Sequence, residues 1–247
     1  MLRGHLDEIF FSIQGEGGEL GRPHIFCRFG GCPLRCSYCD TPESWSQKSQ
    51  YSLRVKDGIE LLPNPVSVSE VFNQLKDVLT TYGLSPTQCC LSITGGEPLE
   101  QSDFCLALSE AWPGMVLLET AGTNVDSLQA IASAVDIVSL DWKIASLLRE
   151  GKGEHRKCLT YLYSENVKTQ VKLVVARECV DLEVQESLSA IAESYPEVET
   201  FLQPVTPRSK GPQLPSEEQL LKWLLLGQSL NLDLRVVPQT HPILNVR

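Results

Sequence analysis

The sequence predicts an α/β fold built around a mostly parallel β-sheet. Short apolar runs alternate along the chain with segments of helical periodicity, the runs lack the polar alternation of a half-exposed sheet, and polar clusters directly follow four of them. Unbroken apolar runs indicate strands that are buried on both faces. Strands that alternate with helices form right-handed βαβ units, which gather functional groups at the carboxyl ends of the strands.

The apolar runs predict seven strands, at 25–29, 89–93, 116–118, 137–140, 171–175, 200–202 and 234–237. A helix is predicted to begin at the capping box Ser67-Val68-Ser69-Glu70, because the apolar residues that follow it recur at helical spacing. Two further helices are predicted to begin in the same way, at Asp126 and at Ser216. We interpret the apolar faces of these helices as core.

Length and composition predict one domain, residues 1–247, because 247 residues with 42% hydrophobic content can bury a substantial core. Two stretches interrupt the alternation of strands and helices. The stretch at about 42–65 is polar and rich in proline, and the stretch at 145–168 is mixed and charged. We interpret both as insertions that can contain short helices.

Charge and cysteine content exclude several classes of function. A net charge of -10 argues against general nucleic-acid binding, which needs a basic surface. The sequence has no apolar run of about 18 residues, so no membrane span is predicted. Nine cysteines, an odd number, follow an amino-terminal segment without an apolar core. This pattern predicts reduced thiols in a cytoplasm rather than a disulfide framework.

The most informative polar cluster contains Cys32, Cys36 and Cys39, which follow the first predicted strand with the spacing C-x3-C-x2-C. Three thiolates on one short loop can hold three irons of a four-iron cluster and leave the fourth iron open. Ferredoxin motifs supply four cysteines per cluster instead, and structural zinc sites close four ligands. A zinc site that recruits Cys27, His24 or another cysteine as its fourth ligand remains an alternative.

A second cluster, Thr94-Gly95-Gly96-Glu97-Pro98, follows the second predicted strand. Paired glycines allow a ligand to approach the backbone closely, although an ordinary strand-to-helix turn would have the same composition. Two more clusters, at 119–123 and 141–143, follow the third and fourth strands. All four clusters are therefore predicted to meet at one edge of the sheet.

The cysteine loop and the Gly-Gly-Glu-Pro segment resemble those of radical S-adenosylmethionine (SAM) enzymes. Other segments resemble the 7-carboxy-7-deazaguanine synthase family, namely residues 8–17 (EIFFSIQGEG), 21–23 (GRP), 28–32 (RFGGC), 39–41 (CDT) and 238–241 (PQTH). The resemblance implies a partial (β/α) barrel of the radical SAM type, with a reduced set of helices. It also implies conversion of 6-carboxy-5,6,7,8-tetrahydropterin to 7-carboxy-7-deazaguanine with loss of ammonia, as in queuosine biosynthesis.

The same resemblance implies the cofactors and the site residues. The cofactors are a [4Fe-4S] cluster on Cys32, Cys36 and Cys39, SAM, and Mg²⁺ at the hydroxyl of Thr41. SAM is expected to contact Gly96, Glu97, Asp141 and Lys143. The pterin is expected to contact Ile13, Gln14, Gly15, Glu16, Arg28, Thr94, His241 and, through its terminal carboxylate, Arg247. The residue chemistry agrees, because an amide and a carboxylate can pair with a pterin edge and an arginine fork can bind the substrate carboxylate. No further catalytic acid or base is assigned.

The expected partners are the small pterin substrate, a flavodoxin or ferredoxin as reductant, and a second copy of the chain in a homodimer. Two alternatives stay open. One is another radical SAM enzyme, such as a glycyl-radical-enzyme activase, which would act on a protein and have no use for Gln14, Glu16 and His241. The other is a noncatalytic zinc or iron-sulfur binding module.

Overall fold

The computed structural model describes residues 2–209 and 211–247, and its main feature is a ten-stranded β-sheet. The strands of this sheet are β2 (Leu6–Ile13), β3 (Pro23–Phe29), β4 (Gln50–Val55), β5 (Gly58–Pro63), β7 (Cys90–Gly95), β8 (Val116–Thr120), β9 (Ile137–Trp142), β10 (Thr169–Val175), β11 (Glu199–Pro204) and β12 (Leu234–Val236). Two short strands, β1 (Arg3–Gly4) and β6 (Val66–Ser67), pair separately in antiparallel fashion.

The strand order is β12-β11-β10-β9-β8-β7-β3-β2-β4-β5. All pairs from β3 to β12 are parallel, β2 is antiparallel to β3, and the β4–β5 hairpin extends the edge beyond β2. The order is linear, so the sheet forms a partial barrel that does not close on itself. The predicted fold class, a mostly parallel partial barrel, is therefore confirmed.

Six helices connect the parallel strands. They are α1 (Val68–Thr81), α2 (Ser102–Ala111), α3 (Val125–Ala132), α4 (His155–Ser164), α5 (Asp181–Ser194) and α6 (Glu217–Ser229), and a short α7 (His241–Leu244) follows the last strand. Consecutive helices from α1 to α6 contact one another and form an outer layer. Within the described ranges, no helix is both long and apolar enough to cross a membrane.

Six of the seven predicted strands lie largely within observed strands, and 234–237 matches β12 to within one residue. Their burial agrees with the prediction, since all seven residues of β10 are buried. The capping boxes at Ser67 and Ser216 are present as predicted. The predicted start of α3 at Asp126 is wrong by two residues, because the side chain of Asn124 caps the helix and accepts a hydrogen bond from Ser127 N at 2.8 Å.

The two stretches interpreted as insertions have different structures. The first contains β4 and β5, which lengthen the sheet. The second contains the 3-10 helix Ala145–Leu147 and the helix α4. That both are insertions into one domain stays a prediction.

Candidate active site

A polar pocket lies at the carboxyl ends of the parallel strands. The loops after β3, β7, β8 and β9 meet there, together with the ends of β10 and β11. The segment after β2 and the segment around α7 close its mouth. Every residue that the sequence assigned to a ligand lines this one pocket. Their individual binding roles stay predictions.

The three cysteines of the loop are half-buried and face this pocket, whereas the other six cysteines are buried elsewhere. The loop is held from two sides. On one side Gly31 N donates to Ser44 O at 2.8 Å and Cys32 N to Trp45 O at 3.2 Å. On the other side the segment 145–151, which we call the loop clamp, bonds to Arg35 and Ser37.

The loop clamp makes three backbone hydrogen bonds to the cysteine loop. Arg35 N donates to Glu150 O at 3.1 Å, Arg149 N to Arg35 O at 2.8 Å, and Ser37 N to Leu147 O at 2.9 Å. Part of the charged second stretch therefore fixes the position of the cysteines.

The donor set of this loop fits an iron-sulfur cluster better than a single metal ion. Across residues 2–209 and 211–247, no group of three or more His, Cys, Asp or Glu side chains is arranged to hold one ion. A cluster needs no such convergence, because each thiolate binds a different iron. Burial raises the pKa of the Cys32 thiol to about 11, although a hydrogen bond from Leu34 N acts against this. Cluster binding must therefore also remove the thiol protons.

The paired glycines serve backbone packing between β3 and β7. Gly95 has φ of +130°, and a Cβ there would clash with the backbone nitrogen of Phe29. A Cβ on Gly96 would clash with the carbonyl oxygen of Gly31 at the start of the cysteine loop. In addition, Glu97 N donates to Gly31 O at 2.8 Å. The glycines thus hold this segment against the cysteine loop, a purpose that the sequence argument did not foresee.

The Glu97 carboxylate is buried and ties the segments after β7 and β8 together. It accepts hydrogen bonds from Leu99 N at 3.0 Å, Thr120 Oγ1 at 2.6 Å and Ala121 N at 2.8 Å. Burial raises the pKa of Glu97 to about 7, against the lowering effect of these bonds. Its oxygens therefore already support the loops after β7 and β8, in addition to any ligand contact.

Two of the predicted substrate residues meet on Glu119. Gln14 Nε2 donates to Glu119 Oε1 at 2.8 Å, and Thr94 Oγ1 donates to Glu119 Oε2 at 3.0 Å. Gln14 Oε1 accepts from Glu16 N at 3.2 Å. Both the nitrogen and the oxygen of the Gln14 amide are thus hydrogen-bonded. Gln14 and Thr94 together orient the Glu119 carboxylate, which lines the pocket.

A row of alternating charges crosses the pocket floor. Lys172 Nζ lies 2.5 Å from Glu16 Oε2 and 3.0 Å from Asp141 Oδ1, and Lys143 Nζ lies 3.1 Å from Asp141 Oδ2. Burial alone would raise the pKa of Glu16. The ion pair with Lys172 and hydrogen bonds from Lys172 and Gln239 outweigh it and lower that pKa to about 2. Glu16 is therefore ionised at neutral pH.

Glu8 is the centre of an arginine cluster on the other side of the pocket. Its carboxylate, 2% exposed, is 2.9 Å from Arg28 Nε, 3.1 Å from Arg54 Nε and 2.6 Å from Arg247 Nη2. Arg247 Nε adds a bond of 3.2 Å. Burial raises the pKa of Glu8, but the arginines outweigh burial and hold the pKa below its usual value. Three guanidinium groups thus surround one buried carboxylate at this side of the pocket.

The guanidinium groups of Arg28 and Arg247 are used differently. Arg247 donates hydrogen bonds to Glu8 from two nitrogens, Nε and Nη2. Arg28 bonds Glu8 only through Nε, and its two terminal nitrogens have no hydrogen-bond partner within the described part of the chain. Both lie over the ring of Phe10, which stacks on Phe26 at 4.7 Å between ring centroids. The pocket therefore combines an available arginine fork with an aromatic wall.

His241 enters the pocket beside Gly15. Thr240 N donates to Gly15 O at 3.0 Å, and a Cβ on Gly15 would fall 2.8 Å from His241 Nδ1. Gly15 is therefore needed for the close approach of α7. Thr41 is buried at the pocket wall, and its side chain makes no capping bond to a backbone amide of the 3-10 helix that follows. Its hydroxyl accepts one long hydrogen bond, from Ser44 Oγ at 3.4 Å.

Sequence reasoning assigned no role to four residues that line the pocket, namely Glu119, Lys172, Gln203 and Gln239. It also assigned none to Glu8, which lies behind the pocket and contacts Arg28 and Arg247. A signal was present for Lys172, because a lysine within the apolar run Val171–Val175 is rarely buried without a charged partner. Gln203 is buried, and its Oε1 has no partner within the described part of the chain. This unpaired acceptor at the pocket wall fits a polar ligand.

Comparison with known proteins gives a consistent picture. A family model described as a 4Fe-4S single cluster domain matches residues 13–152. The chain is 34% identical over 249 residues to 7-carboxy-7-deazaguanine synthase of Methanopyrus kandleri, covering 96% of this chain and 92% of that protein. It is 32% identical over 244 residues to the enzyme of the same name from Geobacter sulfurreducens, covering 96% and 95%.

Solved structures share the fold. The crystal structure of QueE from Escherichia coli matches with a TM-score of 0.57 and 20% identity, covering 96% of this chain and 94% of that chain. A radical SAM methyltransferase from Sphaerobacter thermophilus matches with a TM-score of 0.60 and 17% identity, covering 88% and 66%. At these identities the likeness concerns the fold alone.

Proposed function

The chain belongs to the 7-carboxy-7-deazaguanine synthase family, and from that premise we propose that its pocket converts 6-carboxy-5,6,7,8-tetrahydropterin to 7-carboxy-7-deazaguanine. The reaction is a ring contraction that releases ammonia and serves deazapurine biosynthesis. The protein is a radical SAM lyase that uses a [4Fe-4S] cluster and SAM.

The residues facing the pocket divide into two groups, one for the cofactors and one for the substrate. Cys32, Cys36 and Cys39 hold three irons of the cluster. Gly96, Glu97, Asp141 and Lys143, at the ends of β7 and β9, hold SAM. When bound, the cluster and SAM supply the radical chemistry that the side chains of the protein do not have. The protein contributes binding, orientation and exclusion of water.

Arg28 is the observation that carries the substrate assignment. Its Nε is held by Glu8 at 2.9 Å, while its terminal nitrogens face the pocket without a partner within the described residues. A planar fork of this kind binds a carboxylate through two parallel hydrogen bonds. Phe10 and Phe26 beside it offer a flat apolar wall for a ring. The site thus suits a planar heterocycle that carries a carboxylate.

The acids on the opposite side suit the nitrogen-rich edge of a pterin. Glu16 is kept ionised by Lys172, and Glu119 is oriented by Gln14 and Thr94. Carboxylates are acceptors only, whereas the amino and ring N–H groups of the pterin are donors. Backbone groups of Ile13 and Gly15, together with His241, complete the contacts at the pocket mouth.

Several finer assignments belong to the same proposal. Mg²⁺ is bound at the Thr41 hydroxyl, because a hard cation prefers oxygen ligands and this hydroxyl is buried at the pocket wall. Arg247 secures the carboxyl-terminal segment through Glu8, and its terminal carboxylate reaches the pterin. A flavodoxin or ferredoxin reduces the cluster, and the enzyme works as a cytoplasmic homodimer.

Equilibrium binding tests the substrate class before any turnover is attempted. We would titrate the cluster-loaded protein with 6-carboxypterin and with unsubstituted pterin, following pterin fluorescence. Charge-assisted hydrogen bonds of about 1.5–3 kcal/mol predict that 6-carboxypterin binds at least about tenfold more tightly. Equal affinity, or no binding of either compound, would contradict the assignment. Equal affinity would mean that the arginine fork does not bind the carboxylate, whereas no binding would favour a radical SAM enzyme that acts on a protein.

A further inference from the structure

Lys172 is a buried cation that lines the pocket but has no ligand assigned to it in the proposed binding roles. Its side chain is 3% exposed and lies on β10, between the apolar residues Val171 and Leu173. Burial lowers the pKa of a lysine, yet Asp141 and Glu16 raise the pKa of Lys172 well above its usual value. The ammonium is thus a fixed cation that two carboxylates neutralise.

The two carboxylates belong to different ligand sites. Glu16 comes from the segment after β2, which is assigned to the pterin, and Asp141 comes from the end of β9, which is assigned to SAM. Lys172 Nζ lies 2.5 Å from Glu16 Oε2 and 3.0 Å from Asp141 Oδ1. The pterin side and the SAM side of the pocket therefore share one cation.

The contacts continue outward from both carboxylates. Glu16 Oε1 accepts from Gln239 Nε2 at 2.6 Å, and Gln239 Oε1 accepts from Thr206 Oγ1 at 2.5 Å. On the other side, Asp141 Oδ2 accepts from Lys143 Nζ at 3.1 Å. One row of polar contacts thus connects the carboxyl-terminal segment with the SAM residues, and Lys172 is its central member.

We propose that Lys172 is a positioning residue that couples binding of the pterin to binding of SAM. This inference rests on the function proposed above. A ligand that orders Glu16 also orders the Lys172 ammonium, and this ammonium then holds Asp141 and, through it, Lys143. Without the ammonium, the half-buried carboxylates of Glu16 and Asp141 lose the cation that they share, and each keeps only its own contact, to Gln239 and to Lys143 respectively. The two ligands would then bind independently.

Linked binding measurements test the coupling without relying on activity. We would measure the dissociation constant of 6-carboxypterin for the anaerobic, cluster-loaded protein without SAM and with saturating SAM. Couplings between sites are typically fivefold to about 150-fold and are reciprocal. We expect SAM to tighten 6-carboxypterin binding at least about fivefold, and 6-carboxypterin to tighten SAM binding by the same factor.

The decisive variant is Lys172→Met, in which we expect the coupling factor to fall to near one. Lys168→Met is the matched control, since Lys168 lies just before the same strand, is 67% exposed and is 4.0 Å from Glu19 outside the pocket. It removes the same charge and should keep the full coupling. Undiminished coupling in Lys172→Met, or no coupling in the unaltered protein, would overturn the inference.

A double-mutant cycle decides the question if Lys172→Met does not fold. Glu16→Gln and Asp141→Asn are combined, and their effects on 6-carboxypterin affinity in the presence of SAM are compared with the sum of the single effects. We expect clear non-additivity, because Lys172 contacts both side chains and no other residue in the described ranges pairs with both. Additive effects would overturn the inference. If the unaltered protein binds no 6-carboxypterin, the proposed function fails, and this inference fails with it.

Discussion

Arg28 and Glu8 together determine which substituent the pocket can recognise. Glu8 accepts hydrogen bonds from Arg28, Arg54 and Arg247, so the carboxylate orients all three guanidinium groups. Only Arg28 keeps its terminal nitrogens available within the pocket. A single buried acid thus sets the direction of the fork that would bind the substrate.

Replacing Arg28 by lysine keeps the charge but removes the fork. We expect Arg28→Lys to weaken 6-carboxypterin binding by about tenfold or more, with little change for unsubstituted pterin, because the lost bonds are those to the carboxylate. Arg54→Lys is the control, since Arg54 contacts the same Glu8 and does not line the pocket. Fluorescence titration measures both variants. A similar loss of affinity in Arg54→Lys would show that the arginine cluster affects binding only by stabilising the fold.

Glu16 makes the stability of the protein depend on pH in a defined direction. The pKa of Glu16 is about 2 in the folded protein, below its ordinary value of 4.5. A lowered pKa means that the ionised group stabilises the fold above pH 4.5, and that this contribution is lost as the pH falls from 4.5 toward 2. The free-energy difference between the unaltered protein and Glu16→Gln should therefore be constant from pH 7 to 5 and shrink below 4.5. Urea unfolding across this range measures it, and a difference that grows on acidification would contradict the ion pair.

At the scale of elements, the loop clamp explains how three cysteines on a loop acquire fixed positions. Three backbone hydrogen bonds join the clamp to Arg35 and Ser37. Gly151 ends the clamp with φ of +83°, and a Cβ there would fall 2.6 Å from Leu34 Cδ2 and 2.7 Å from Pro33 O. A side chain at this position would therefore displace the cysteine loop.

We expect Gly151→Ala to lower the content of iron-sulfur cluster per chain while changing the stability of the fold much less. The measurement is iron and sulfide per chain after anaerobic reconstitution, compared with the urea unfolding midpoint. Gly58→Ala is the matched control, because Gly58 is the first residue of β5 at an ordinary φ, and a Cβ there would meet nothing within 4 Å. Full iron content in Gly151→Ala would contradict the assignment of the clamp.

At the scale of the whole molecule, the pocket is closed by segments from opposite ends of the sequence. Thr240 N donates to Gly15 O at 3.0 Å, and Ser12 Oγ donates to Arg247 O at 2.7 Å. Arg247 adds its ion pair with Glu8. Contacts of this kind are long-range, so the pocket mouth is complete only when the entire sheet has formed.

Ligand binding should therefore protect both segments from hydrogen exchange together. We expect 6-carboxypterin with SAM to slow exchange of the amides at 13–16 and 239–247 more than tenfold. The β4–β5 hairpin, which does not line the pocket, should be unaffected. Exchange measured by mass spectrometry reports all three regions in one experiment. Protection of only one of the two pocket segments would contradict a mouth formed by both.

The sequence was sufficient for the features that local patterns encode. Apolar runs revealed the seven parallel strands, and capping boxes located the starts of α1 and α6. Motifs at strand ends placed the cysteines and the Gly-Gly-Glu-Pro segment in one pocket, because parallel strands end at the same edge of a sheet.

Features that depend on long-range contacts could not be found in this way. Strand β2 alternates little, so its sequence indicates a motif and not a strand, and the β4–β5 hairpin lies in a polar stretch. Lys172 pairs with Glu16 and Asp141, which lie far apart in the sequence, so no local pattern connects the three residues. Likewise, the sequence does not show that Glu8 is the centre of an arginine cluster, because Arg54 on β4 and Arg247 at the end of the chain reach Glu8 only in the folded protein.

The ring contraction itself is the central claim, and product analysis tests it most directly. The cluster-loaded protein is incubated anaerobically with SAM, dithionite, Mg²⁺ and 6-carboxy-5,6,7,8-tetrahydropterin, and the products are identified by mass. We predict 7-carboxy-7-deazaguanine from the unaltered protein and none from Cys36→Ala. Formation of 5′-deoxyadenosine without 7-carboxy-7-deazaguanine, from a protein with an intact cluster, would contradict the claim.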